Sequence, residues 1–204
     1  MPLPSKKMYF RDYIFHVYES VYEPAEDSFL FAENLAVKKD EVVLDVGTGC
    51  GILGIIAADK AAKVVMVDIN PYAVRCAKEN AKLNGVLDKM LFVQGDLFAP
   101  IRVEEKFDSI LFNAPYLPSE PFEDISWLGC AWAGGIAGRQ VVDRFIWEAS
   151  EYLKENGCIF LMQSTLSDVN ETLRRFEKNG LKTSIVAKRS LPFFEVIVLV
   201  RAER

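Results

Sequence analysis

Short runs of consecutive apolar residues alternate in this chain with stretches whose apolar positions recur every three or four residues. The first pattern fits a strand buried on both faces and the second an amphipathic helix. Val42-Val43-Leu44 predicts a buried strand that ends at Asp45. A glycine-rich turn follows, then a helix through Ile52, Ile55, Ile56 and Ala57. Val64 to Val67 is the next strand, ending at Asp68. Pro71 opens a helix that runs to about Leu83, where Asn84-Gly85 stops it. Leu91-Phe92-Val93 and Phe107 to Phe112 are further strands. Residues 114–137 read as a long connection rich in Pro, Gly and Trp. A helix from about Gly138 to Tyr152 and a strand from Cys158 to Met162 come next. Ser167 is expected to cap a helix that ends before Gly180. Two last strands, about Thr183–Lys188 and Phe194–Arg201, flank a turn containing Pro192.

Ahead of these elements, residues 1–23 carry Tyr9, Phe10, Tyr13, Phe15, Tyr18 and Tyr22. So many aromatics predict an ordered cap rather than a disordered tail. Pro24 suits a helix start, with Ala25, Glu26 and Asp27 in its first turn.

Strands alternating with helices imply parallel pairing, right-handed crossovers and helices on both faces. The fold class is therefore α/β and doubly wound. The last two strands lack a helix between them and should form an antiparallel hairpin at one side. The 204 residues suit one domain, with 1–40 as cap and helix and 41–204 as core. Ligands of such sheets bind beyond the carboxyl ends of the strands. Those ends carry Asp45, Asp68, Asp96 and Asn113.

Composition narrows the field. Half the residues are hydrophobic, 26% are charged, and the net charge is −5. An acidic balance turns the expectation away from a general nucleic-acid binder. Cys50, Cys76, Cys130 and Cys158 lack metal-ligand spacing, and His16 is the only histidine, so no metal site is expected. The cysteines read as buried, reduced thiols of a cytoplasmic protein. Neither a signal peptide nor a membrane span is expected.

The turn Asp45-Val46-Gly47-Thr48-Gly49-Cys50-Gly51 lets the backbone bend sharply and a ligand approach it closely. Gly49 to Gly54 also fits a dinucleotide fingerprint, with Asp68 at a fitting distance. Asp45 argues against that reading, because a pyrophosphate would meet its charge. A carboxylate there suits a cation, such as the amino group of a methionine moiety beside a sulfonium. Asp68 can accept both ribose hydroxyls, and Asp96 the adenine amine. The three acids match the polar parts of S-adenosylmethionine in order. The candidate cofactor residues are Ser28, Asp45, Gly47, Gly49, Gly51, Asp68, Ile69, Asp96, Leu97 and Asn113.

Beyond the fourth strand stands Asn113-Ala114-Pro115-Tyr116. A planar amide or amino nitrogen is a poor nucleophile, because its lone pair is delocalised. The Asn113 side-chain carbonyl and the Ala114 main-chain carbonyl can hold its two hydrogens and turn the lone pair toward a methyl group. Pro115 stiffens this loop and Tyr116 can stack on the planar group. No general base is required before the methyl moves. Trp127, Leu128 and Trp132 either line the substrate cleft or pack the long connection.

With these segments the chain resembles the HemK-like glutamine methyltransferases, in the short archaeal and eukaryotic branch acting on peptide-chain release factors. The matching segments are Val21 to Phe29, Asp45 to Gly51, Asn113 to Pro118, and Ala131 to Gly135 with Gly138-Arg139. The resemblance implies a Rossmann-like methyltransferase fold with a seven-stranded, mostly parallel sheet whose third strand is outermost. It implies S-adenosylmethionine as cofactor and methylation of the side-chain amide in a Gly-Gly-Gln loop of a release factor. It implies that the segment around Ser28 closes over the cofactor, and that a small zinc-binding activator subunit pairs with the Leu91–Val93 edge. Ser28 replaces the usual Thr and Ala114 the usual Pro; hydroxyl and main-chain carbonyl are both kept. The N-terminal helical domain of longer bacterial members is not expected. Adenine-amino methyltransferases of RNA or DNA share the tetrad and are the alternative enzyme reading. A scaffold without turnover and an oxidoreductase fit the residues less well.

Overall fold

The computed structural model describes residues 5–120, 122–123 and 125–204. Residues 1–4, in the predicted cap, and 121 and 124, in the predicted connection, lie outside the described residues. Seven strands form one sheet: β3 (Val42–Val46), β4 (Lys63–Asp68), β5 (Met90–Gln94), β6 (Phe107–Asn113), β7 (Leu153–Ser164), β8 (Lys182–Ser190) and β9 (Val196–Glu203). Their order is β5-β4-β3-β6-β7-β9-β8. Strand β9 runs against the other six, so the predicted C-terminal hairpin is present, and β5 is an edge.

The helices are α1 (Glu26–Glu33), α2 (Ile52–Ala57), α3 (Pro71–Leu83), α4 (Trp127–Cys130), α5 (Gln140–Ala149) and α6 (Val169–Lys178). Helix α2 touches both α1 and α3, while α5 touches α6, as expected of helices on two faces of one sheet. The core between them is dense in phenylalanine: Phe31, Phe98, Phe112, Phe145, Phe160 and Phe176 are fully buried. Phe98 stacks on Phe145 and Tyr152 with centroids 5.4 and 4.6 Å apart.

Two boundaries and the burial of one cysteine differ from the expectation. The cap of α6 is Asp168, whose carboxylate accepts from the Glu171 amide at 3.1 Å; Ser167 is buried and its hydroxyl donates to the Ser164 carbonyl instead. Strand β7 begins at Leu153, ahead of the apolar run, because Leu153 pairs with Phe107. Cys130 is half-buried, whereas Cys50, Cys76 and Cys158 are buried.

The aromatic cap is a β-hairpin, β1 (Ser5–Phe10) and β2 (Tyr13–Tyr18). Two asparagines one turn apart, Asn80 within α3 and Asn84 at its C-cap, hold it. Asn80 accepts from the His16 amide at 2.8 Å and donates to the His16 and Cys50 carbonyls, each at 2.8 Å. Asn84 accepts from the Ile14 amide and donates to the Ile14 carbonyl, at 3.0 and 2.8 Å. Each amide thus completes an unpaired backbone edge, as a neighbouring strand would. Asn80 is only 1% exposed, and its bond to the Cys50 carbonyl is buried. Asn80→Ala is expected to lower stability by about 2–4 kcal/mol, from three lost bonds and stranded backbone groups. Urea unfolding checks this; a loss below half a kilocalorie would show that the hairpin is held by packing alone.

Candidate functional site

The carboxyl ends of β3, β4 and β6 open into a cavity of about 670 Å³. Its wall brings together Ser28, Gly47, Gly49, Asp68, Ile69, Asp96, Leu97 and the whole Asn113-Ala114-Pro115-Tyr116 segment. Asp45 and Gly51 are not part of that wall. Asp45 is buried behind it, and one oxygen accepts from the Thr48 hydroxyl at 2.6 Å and the Gly54 amide at 3.0 Å. A Cβ at position 54 would stand 2.9 Å from that oxygen, so glycine permits the approach. One Asp45 oxygen therefore clamps the turn. Burial, aided by the charge of Asp68, pushes the Asp45 carboxyl up to about 7, against the pull of its two hydrogen bonds.

Asp68 is a wall residue with a second task. Its two oxygens accept from the Gly49 and Asn70 amides at 2.8 and 2.9 Å. Burial raises its carboxyl as well. Each oxygen keeps a further lone pair for a donor in the cavity. Asp96, half exposed, meets Arg144 at 2.6 Å, and both belong to the wall. That exposed pair adds little stability, but it occupies one Asp96 oxygen.

The other side of the wall is organised by Asp27, which is 6% exposed. One of its oxygens accepts from the Ser28 amide (2.6 Å), the Ser28 hydroxyl (3.2 Å) and the Tyr22 hydroxyl (3.2 Å). The other accepts from the Asn113 side-chain amide (3.1 Å) and the Tyr116 hydroxyl (3.2 Å). The Ser28 hydroxyl also accepts from that amide at 3.2 Å. An ionised carboxylate only accepts, so Asn113 must turn its NH₂ toward Asp27 and its Oδ1 away. That Oδ1 is buried and has no hydrogen-bond partner among the described residues. A buried acceptor without a donor is costly unless a ligand or solvent supplies one. Burial and then the charge of Asp27 push both the Tyr116 and Tyr22 phenols up, so both remain protonated donors.

Residues 116–119 and 126–139, between β6 and α5, fold into a strap. The Leu117 amide donates to the Trp132 carbonyl at 3.1 Å, and the Leu117 carbonyl accepts from the Gly134 amide at 2.8 Å. Gly138 adopts φ +64, and a Cβ there would lie 2.3 Å from the Tyr116 carbonyl. Arg139 fastens the strap to α6 through the Asp168 carbonyl (2.7 Å) and the Thr172 hydroxyl (3.1 Å). Trp127 and Trp132 line the cavity; Leu128 is exposed and does not.

Sequence reasoning passed over Asp27, Thr48, Asn70 and Arg144 as site residues. Asp27 had a signal, since it precedes Ser28 at the start of α1. Arg144 had none, because its meeting with Asp96 spans 48 residues.

Comparison with known proteins follows the same lines. Residues 20–125 match the methyltransferase small domain family. A Methanocaldococcus jannaschii protein provisionally named a protein N5-glutamine methyltransferase is 47% identical over 90% of this chain and 92% of its own length. The Homo sapiens methyltransferase HEMK2 is 33% identical over 84% of this chain and 85% of its own. Among solved structures, the Encephalitozoon cuniculi Mtq2–Trm112 complex, which methylates the translation termination factor eRF1, superposes with a TM-score of 0.70. It is 25% identical, covering 91% of this chain and 99% of that one.

Asp45 generates a pH prediction. Its carboxyl titrates near 7 when folded and near 4 when unfolded, so the folded chain holds the extra proton between those values. Stability should fall as pH rises through that window and level off above it. In Asp45→Asn the amide oxygen still accepts from Thr48 and Gly54, but nothing titrates. Its unfolding free energy should run flatter from pH 4 to 8, diverging from the parent by up to about 4 kcal/mol. Parallel curves in denaturant titrations would remove Asp45 as the cause.

Proposed function

The chain belongs to the methyltransferase small domain family and, within it, to the HemK-like protein glutamine methyltransferases, and from that premise we propose that it methylates the side-chain amide of a glutamine in the Gly-Gly-Gln loop of a peptide-chain release factor. The observation that carries this reading is the orphaned Asn113 Oδ1. It is a fixed acceptor without a donor, as an amide N–H requires.

S-adenosylmethionine fits the wall as cofactor, and when bound it supplies an electrophilic methyl group on a sulfonium sulfur. The residues to hold it are Gly47 and Gly49 along the turn, Asp68 for the ribose hydroxyls, with Ile69, and Asp96 for the adenine amine, with Leu97. Asp45 and Gly51 shape the turn from behind. Ser28 closes the site from α1. For the substrate, Asn113 Oδ1 and the Ala114 carbonyl accept the two amide hydrogens, and Pro115 keeps that loop stiff. These bonds strengthen as positive charge builds on nitrogen, so they favour the transition state. With its two hydrogens held, the amide nitrogen presents its lone pair to the methyl group that the bound cofactor would supply, and its surplus proton would pass to water. Tyr116, held protonated, positions the substrate and takes no proton. The whole of residues 1–204 acts as one catalytic domain, in the cytoplasm. Among the described residues, no helix is long and apolar enough to cross a membrane.

A small zinc-binding activator completes the enzyme in this reading, by adding a strand to β5. Among the described residues that strand pairs only with β4, and its residues Met90 to Gln94 carry no charge. Leu91 is half exposed. The opposite edge, β8, carries Lys182, Lys188 and Arg189 and a register break, features that discourage strand addition.

Mass spectrometry of a release factor incubated with this protein and S-adenosylmethionine should find one methyl on the loop glutamine; an unmodified factor, with activator present, would overturn the function. Asn113→Ala should cut turnover by roughly 10²-fold or more while cofactor affinity falls far less, the scale of one lost oriented hydrogen bond. For the partner, Leu91→Lys is expected to abolish co-elution with the activator in size-exclusion chromatography. Co-elution equal to that of the parent would move the interface elsewhere.

A further inference from the structure

The turn from β8 into β9 displays two adjacent phenylalanines to solvent. Phe193 is 96% exposed and Phe194 is fully exposed. Both are in the left-handed region, at φ 61 and 65, which ring-bearing residues seldom occupy. The turn is nonetheless well tied: the Leu191 amide donates to the Glu195 carbonyl at 2.8 Å, and the Val196 amide to the Thr165 hydroxyl at 3.1 Å. Single exposed apolar residues are ordinary on a surface. Two neighbouring rings held outward by a strained, tethered turn gain this chain nothing in burial. Strain of that kind is a pointer to function.

Its position says which function. Ile197, just past the turn, pairs with Ser164, the last residue of β7. The turn therefore stands beyond the carboxyl ends of the parallel strands, where the cavity opens. Arg189, at the end of β8, meets Glu33 of α1 at 2.9 Å, and α1 carries Asp27 and Ser28. Glu195, beside the rings, contributes to the field that raises Tyr22 and Tyr116, both cavity residues. Across the sheet the order places β5 at the far edge, away from these rings.

Resting on the function proposed above, we propose that Phe193 and Phe194 are specificity-determining residues that grip apolar side chains of the folded substrate protein beside its target glutamine. Exposed aromatic anchors commonly supply much of the energy at such contacts. The cavity receives the glutamine; the turn recognises the protein that presents it.

The test is steady-state kinetics of Phe193→Ser/Phe194→Ser on an intact release factor, with the activator present. KM is expected to rise roughly 10–100-fold, with kcat within a few fold and cofactor affinity unchanged. Phe193→Leu/Phe194→Leu should recover most of that loss, which a merely structural turn would not require. An unchanged KM in the serine variant overturns the proposal. So does a loss of dimerisation, or of phosphatidylcholine vesicle binding, with KM intact, since the rings then serve another surface. A parent enzyme that leaves the release factor unmethylated overturns the underlying function, and this proposal with it.

Discussion

The buried carboxylate of Asp27 is the constraint on which one half of the site depends. Five donors converge on its two oxygens, from the cap, from α1 itself and from the end of β6. Those segments are far apart in the chain; Asn113 is 86 residues from Asp27. Charge-assisted bonds of this kind are stronger than neutral ones, and burial of the carboxylate strengthens them further. The consequence reaches beyond stability. An amide side chain can present either end, and a neighbour that only accepts removes that choice. Asp27 thereby fixes which end of Asn113 is left for a ligand.

The other half of the site uses its carboxylates twice. Residues after the strands turn their amides toward solvent or ligand with no ladder to satisfy them. Asp45 takes up the amide of Gly54, and Asp68 those of Gly49 and Asn70. A ring of acids at strand ends is thus first a solution to the backbone's own hydrogen bonding. Recognition of a polar ligand uses the lone pairs that remain. Asp45, the most deeply buried of these acids, spends one oxygen on the turn.

This duality also explains what the sequence could and could not reveal. Strands β3, β4 and β6 and helix α3 were legible, because burial on both faces or Pro71 with Asn84-Gly85 leaves a local signature. The four strand-end residues were legible because a parallel topology assigns strand ends a place. The hairpin was hidden: Tyr13, Phe15 and Val17 alternate with Ile14 and His16, but β2 finds its partner in β1 and its outer edge in two asparagines of α3. The depth of Asp45 was hidden too, since the same letter serves a wall or a clamp. Asp27 stood next to a recognised residue, yet its five donors are a property of the folded chain. Ser167 and Asp168 both suit an N-cap, and the choice fell to Asp168 because Ser167 is drawn into a buried network with Gln163.

The two halves are not independent, and the link is Asn80. Its amide donates to the Cys50 carbonyl, inside the glycine turn, and exchanges two bonds with His16 of the hairpin. The hairpin in turn leads through Tyr18 and Val21 to Tyr22, which donates to Asp27. A continuous path of hydrogen bonds and short covalent steps therefore joins the turn that would cradle the cofactor to the carboxylate that orients Asn113. The path passes through the aromatic segment that precedes the sheet. That segment belongs to the site as a structural member, because the turn and the acceptor each lean on it from opposite sides.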